Sequence, residues 1–201
     1  NLEKIDGMGE ATFIKYKKLA QLLNDSTGNE ILYEIKDPSL KGLLKPQKGD
    51  LYIDFEGYPY LTIGRNFEYL YGIWSNDEND NFTYFWSDGE EEEKNSFTCF
   101  IENLLEHLEL YTDAKFYHYF SYEISSLRRS AEAFGVYEKE LEQLIEKECF
   151  VDLFTVVNSS LLIGASSYSL KTVEKLAGIN RTEDLQSGME SIQYFEDYFF
   201  N

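Results

Sequence analysis

The sequence predicts an α/β protein, a mixed sheet flanked by helices, with a small N-terminal helical hairpin. Three observations predict it. Three strand-like runs follow one another from Leu51 to Trp86. A fourth strand-like run, Lys115–Tyr119, stands between two helical stripes. Consecutive strands followed by a strand enclosed by helices argue for a mixed sheet covered by helices. A Gly7-Met8-Gly9 turn interrupts an otherwise helical N-terminal segment, the pattern of two short helices joined tightly.

Residues 1–23 read as helical, with Leu2 and Ile5 before the turn and Phe13, Ile14, Leu19 and Leu22 after it at helical spacing. Breakers crowd residues 24–49, from Asn24-Asp25-Ser26 through Asp37-Pro38 to Lys48-Gly49, so that stretch reads as a connection with a short strand at Ile31–Ile35. Leu51–Gly57, Tyr69–Trp74 and Phe82–Trp86 read as strands, the last two joined by the polar loop Asn76–Asp80. Ser96–Leu108 carries an apolar stripe of Phe97, Phe100, Ile101, Leu104, Leu105 and Leu108, which predicts a helix. The run Glu90–Glu93 before it reads as a solvated helix start favoured by the helix dipole. After Lys115–Tyr119, Ser121 can cap a helix reaching about Phe134. Further helical patterns lie at Glu138–Glu146, Leu153–Leu161 and Leu170–Ala177.

The chain has 201 residues, which suits one domain with an appendage or one full-sized α/β domain. Its 16 Tyr and 15 Phe supply much of the area that a core needs. The formal net charge is −19, and it is unevenly distributed. Residues 1–50 hold 8 basic and 8 acidic residues, and the later part holds 10 against 29. Within Asp77–Asp113 stand 12 acids and one Lys. A protein that grips phosphates by contact needs Lys and Arg, so the acids must be a solvated face or a site. Cys99 and Cys149 lack metal-ligand spacing and suit a reducing, cytoplasmic setting. No apolar run nears the ~18–20 residues of a membrane span, and no signal peptide is read.

Asp54 and Glu56 are the most informative residues. Two apart on a strand, they share one face while Ile53 and Phe55 take the other. Paired carboxylates repel and are costly in a half-buried sheet, a cost that a divalent cation removes. Gly57 next to them leaves room for a ligand backbone. Spacing alone equally fits a strand end bearing two exposed acids. Glu123, in the first turn of the helix after the fourth strand, opens at the same sheet edge if that strand lies beside the first. Read alone, it is an ordinary helix-start acid.

These residues carry a family resemblance. Asp54-Phe55-Glu56-Gly57 and Tyr117-His118-Tyr119-Phe120-Ser121-Tyr122-Glu123 resemble the first two exonuclease motifs of the RNase H-like DEDD 3′–5′ exonucleases. More narrowly, residues 49–198 resemble the RNase H-like domain of predicted RecB-family nucleases. Further matching stretches are Glu68–Gly72, Phe85-Trp86, Phe150–Leu153, Ser166–Lys171 and Glu190-Ser191-Ile192. Residues 2–14 resemble the helix-hairpin-helix that precedes this domain in the same family. The division this implies is 1–48 for the hairpin-like segment and linker, and 49–201 for the nuclease domain.

The resemblance implies a two-metal-ion nuclease, 3′–5′ on single-stranded DNA or RNA, with acids that hold Mg²⁺ or Mn²⁺. Asp54, Glu56 and Glu123 would be catalytic and metal-binding residues, with Glu123 where most of the superfamily has Asp. The fourth acid is expected beyond Asn201, which leaves the chain as it stands one ligand short. Gly7, Gly9 and Lys15 would contact phosphate through the hairpin, and Tyr119 and Tyr122, with Tyr58 and Tyr60 nearby, would stack on bases. The same resemblance implies further domains in the polypeptide, a RecB/Cas4-type nuclease and in some relatives a helicase. The alternative expectation is a non-catalytic nucleic-acid-binding or protein-interaction domain with a degenerate RNase H-like fold, the protein-interaction module using the Asp77–Asp113 face.

Overall fold

The computed structural model describes residues 7–27, 30–37, 43–75, 81–179 and 188–200. Its elements follow in the order α1 (Glu10–Asp25), β1 (Tyr33–Ile35), β2 (Leu51–Tyr58), β3 (Phe67–Ser75), β4 (Asn81–Trp86), α2 (Glu90–Leu110), β5 (Phe116–His118), α3 (Tyr122–Phe134), α4 (Glu138–Glu146), β6 (Phe150–Asp152), α5 (Leu153–Ser160), β7 (Leu161–Ile163), α6 (Leu170–Leu176) and α7 (Gly188–Phe200). The long periodic segments appear where periodicity predicts them. Two strands, β6 and β7, and the helix α7 lie outside the predicted elements. β6 and β7 have three residues each and adjoin α5 directly, so no turn residue sets them off. The first helix of the expected N-terminal hairpin and the polar loop between β3 and β4 lie outside the described residues.

The chain forms two compact units, 1–43 with 154–182, and 44–153 with 183–201. In the first, β1 pairs antiparallel with β7, Tyr33 opposite Ile163. The backbone N–H of Gly164 extends this ladder to the Leu32 carbonyl. α1 packs on β7 at Gly164, where a Cβ would lie 2.5 Å from the Leu22 carbonyl oxygen, so only Gly permits this approach. The turn before α1 contains Gly7 at φ +87° and Gly9 as the N-cap.

The second unit holds a five-stranded sheet in the order β4-β3-β2-β5-β6. β2 pairs antiparallel with β3 and parallel with β5, so it is central. Leu51, Ile53 and Phe55 point from β2 into a core shared with Tyr71, Ile73, Phe97, Phe100, Leu104, Phe116 and Leu127. α2 supplies the Phe97–Leu104 stripe to this core, as its helical spacing requires. A second, smaller cluster joins Tyr58, Phe67 and Tyr69 to Phe195 of α7. Asp50 is buried and satisfied: its two oxygens accept from the backbone N–H groups of Lys115 and Gln47, tying the start of β2 to β5.

One local expectation is corrected. Glu90–Glu93 is not solvated throughout, because Glu93 is fully buried. The Arg65 guanidinium makes a two-pronged pair with its carboxylate, and the Glu68 backbone N–H donates to it at 2.8 Å. Burial of an acid requires such partners, and they come from β3 and the loop before it. Among the described residues, no helix is long and apolar enough to cross a membrane.

Candidate functional site

Alternation along β2 separates its side chains into two sets. Leu51, Ile53 and Phe55 are buried, while Asp54 is exposed and Glu56 half-buried on the opposite face. The strand breaks register between Glu56 and Gly57, a bulge that ends regular pairing and re-aims the side chains beyond it. Gly57 leaves room there for two side-chain ends: a Cβ would lie 2.4 Å from both Glu68 Oε2 and the Tyr122 hydroxyl, and both would have to shift.

The two acids are close enough to feel each other. The Glu56 carboxyl is pushed up to about 7, first by burial and then by the Asp54 charge, with a smaller contribution from Glu68. Hydrogen bonds from Ser191 and Tyr69 act in the other direction. At neutral pH the pair therefore holds its second negative charge only weakly, as like charges do in a partly desolvated site.

Glu123 stands in the first turn of α3 and is only 4% exposed. Its Oε2 is buried without a hydrogen-bond partner. The nearest cationic candidate is His118, with Nδ1 at 3.5 Å from that oxygen. However, the same nitrogen lies 2.7 Å from the Phe120 carbonyl. A carbonyl can only accept, so Nδ1 carries a proton directed at Phe120, and the Glu123 oxygen is left unserved. A buried carboxylate oxygen without a partner is costly.

The turn that presents Glu123 is itself constrained. Phe120 sits at φ +79°, an uncommon conformation for a side chain of this size. Its backbone N–H donates to Asp152 Oδ1 at 2.9 Å, and its carbonyl is held by His118. Asp152 lies opposite His118 in the β5–β6 register. Asp152 therefore secures the turn from the neighbouring strand.

Among the described residues, no group of three or more His, Cys, Asp or Glu side chains is gathered as a metal cage. The site's parts are nevertheless of the right chemistry for a hard cation: two neighbouring carboxylates in mutual repulsion and an orphaned, buried carboxylate oxygen. The structure brings Asp54 and Glu56 together and holds Glu123 against His118.

The other expected contact residues fall in different settings. Tyr119 is half-buried, and burial, followed by the Asp152 charge, pushes its hydroxyl up to about 12. The Tyr122 hydroxyl donates to Glu68 and accepts from Asn66. Tyr58 is buried and donates to Glu196, whereas Tyr60 is 78% exposed. Gly7, Gly9 and Lys15 are exposed in the first compact unit.

Sequence reasoning missed three residues beside the acids. Glu68 is 1% exposed and accepts from Ser126 at 2.6 Å and from Tyr122 at 2.8 Å; burial drives its carboxyl upward. The available signal was a lone acid inside the apolar run Phe67–Ile73. Tyr69 and Ser191 lie against Glu56, their hydroxyls 2.7 Å apart; both fall in stretches that carry the family resemblance, but no local pattern assigns them to the site.

No curated protein and no solved structure matches the chain. The family model of the RNase_H superfamily matches residues 51–200, which takes in the whole five-stranded sheet, α2 to α4, and α7. With a central strand carrying two acids, antiparallel to one side and parallel to the other, the chain belongs to the RNase_H superfamily.

Proposed function

We propose that this protein is a metal-dependent nuclease domain that hydrolyses phosphodiester bonds, in the 3′–5′ direction on single-stranded nucleic acid. The observation that carries the reading is the Asp54–Glu56 pair on the face of the central strand opposite Leu51, Ile53 and Phe55, in a superfamily of nuclease type. Asp54, Glu56 and Glu123 would hold Mg²⁺ or Mn²⁺ through carboxylate oxygens. The bound cation would supply an activated water and charge neutralisation at the scissile phosphate. Asp54 offers the exposed oxygens. Glu56 gains most from a cation, because burial and its neighbour oppose its charge. Glu123 would contribute its unpartnered Oε2. His118 and Asp152 act from behind by fixing the turn that carries Glu123.

The rest of the reading rests on the same resemblance. Residues 49–201 would be the nuclease part and 1–48 a hairpin-like segment, with Gly7, Gly9 and Lys15 touching phosphate. Tyr119 and Tyr122 would face the bases. The polypeptide would be part of a larger RecB-like nuclease, acting in the cytoplasm.

The test is degradation of a labelled single-stranded oligonucleotide with Mn²⁺, alongside Mn²⁺ titration by calorimetry. Wild type should bind Mn²⁺ and shorten the oligonucleotide from its 3′ end, and Asp54→Ala should abolish both. Mn²⁺ binding that is absent, or unaffected by Asp54→Ala, defeats the reading.

A further inference from the structure

We propose that Ser191 and Tyr69 form a hydroxyl clamp that sets the orientation of the Glu56 carboxylate for cation binding. They would be positioning residues for the Asp54–Glu56 site. The proposal rests on reading that pair as the cation site.

Three contacts build the clamp. The Tyr69 hydroxyl lies 2.7 Å from Ser191 Oγ and donates toward Glu56 Oε2 at 3.5 Å. Ser191 also lies near enough to the Glu56 carboxylate to favour its charged form. Gly188 opens α7 against the same oxygen, its would-be Cβ at 3.9 Å from Glu56 Oε2. The first turn of α7 therefore faces one oxygen of Glu56, and a helix start favours a carboxylate there.

The clamp is stiff because its members are packed. The Tyr69 ring is buried and stacks on Phe195 of α7 with centroids 4.3 Å apart and planes 9° apart. Trp86 closes another side of the ring at 5.5 Å. Phe195 is itself 2% exposed, so the stack fixes helix and tyrosine together. Each hydroxyl has one proton, and one of the two lies in the 2.7 Å bond between them, so the pair forms a chain that delivers one donor to Glu56 from the α7 side and leaves its remaining lone pairs for the Asp54 side. Partners of this kind fix ligand orientation and typically change metal affinity by about 10–100-fold when removed.

The experiment is Mn²⁺ titration by calorimetry of wild type, Ser191→Ala, Ser191→Thr, Tyr69→Phe and Asp54→Ala. Urea unfolding of each in EDTA accompanies it. Ser191→Ala should raise the Kd for Mn²⁺ about 10-fold, whereas Ser191→Thr, which keeps the hydroxyl, should stay within about two-fold of wild type. Tyr69→Phe, which keeps the ring stack, should weaken binding in the same direction. In turnover assays the loss should fall on kcat rather than on KM for the oligonucleotide. If Ser191→Ala gives no urea transition, Tyr69→Phe carries the same test. Unchanged Mn²⁺ affinity in Ser191→Ala and Tyr69→Phe, with Asp54-dependent binding intact, overturns the clamp alone. Loss of any Asp54-dependent binding in wild type overturns the cation site and the clamp with it.

Discussion

Replacing Glu56 by Gln should make the metal-free protein more stable at alkaline pH. The folded state holds the Glu56 proton more tightly than the unfolded chain does, with the carboxyl moved from an ordinary value of 4.5 to about 7. That contribution to stability is fully present below pH 4.5 and is lost as pH rises through about 7. At about 1.4 kcal/mol per pH unit, the displacement sets a ceiling of about 3.4 kcal/mol. Glu56 is only half-buried, and solvent screening reduces this to roughly 1–2 kcal/mol. Gln keeps an oxygen that can accept from Ser191 and carries no charge at any pH. Urea unfolding in EDTA from pH 8 down to pH 5 should show Glu56→Gln ahead by roughly 1–2 kcal/mol at the upper end, with the gap closing toward the lower. Adding Mn²⁺ at pH 8 should stabilise wild type more than the variant. A constant offset across the pH series, or a variant weaker than wild type at pH 8, would refute the argument that burial and Asp54 oppose this charge.

Two predictions concern the polar cluster under the bulge. Gly57→Ala puts a methyl 2.4 Å from Glu68 Oε2 and from the Tyr122 hydroxyl, and should cost about 1–3 kcal/mol in urea unfolding; an unchanged midpoint would mean that the strand relaxes freely there. Tyr122→Phe removes one of two side-chain donors to a Glu68 that is 1% exposed. It should cost about 1–3 kcal/mol in urea unfolding at pH 8; an unchanged midpoint would contradict this.

Much of the fold was legible because it rests on local periodicity. The stripe Phe97–Leu108 needs one helical face, and α2 turns that face to the core. Alternation at Leu51–Gly57 needs one buried face, and β2 has it. The acidic run that opens α2 departs from the expectation at its last member. Glu93 has the same local sequence signal as Glu90–Glu92, and only its partners Arg65 and the Glu68 N–H, brought from β3 and the loop before it, distinguish it. β6 lies outside the predicted elements because it runs into α5 with no turn residue between them, although it ties Asp152 to the turn before Glu123.

For the site, the sequence by itself determined that Asp54 and Glu56 share a face, since strand geometry makes residues two apart neighbours whatever surrounds them. It also determined that Glu123 begins a helix after a strand. Tertiary structure alone decided that this strand lies parallel beside β2, that Glu123 is left with an orphaned oxygen, and that α7 sets Ser191 against Glu56. Those facts depend on pairing and burial between segments far apart in the chain. Side-chain spacing carries no record of such contacts, because the energy that selects them arises only when the elements pack.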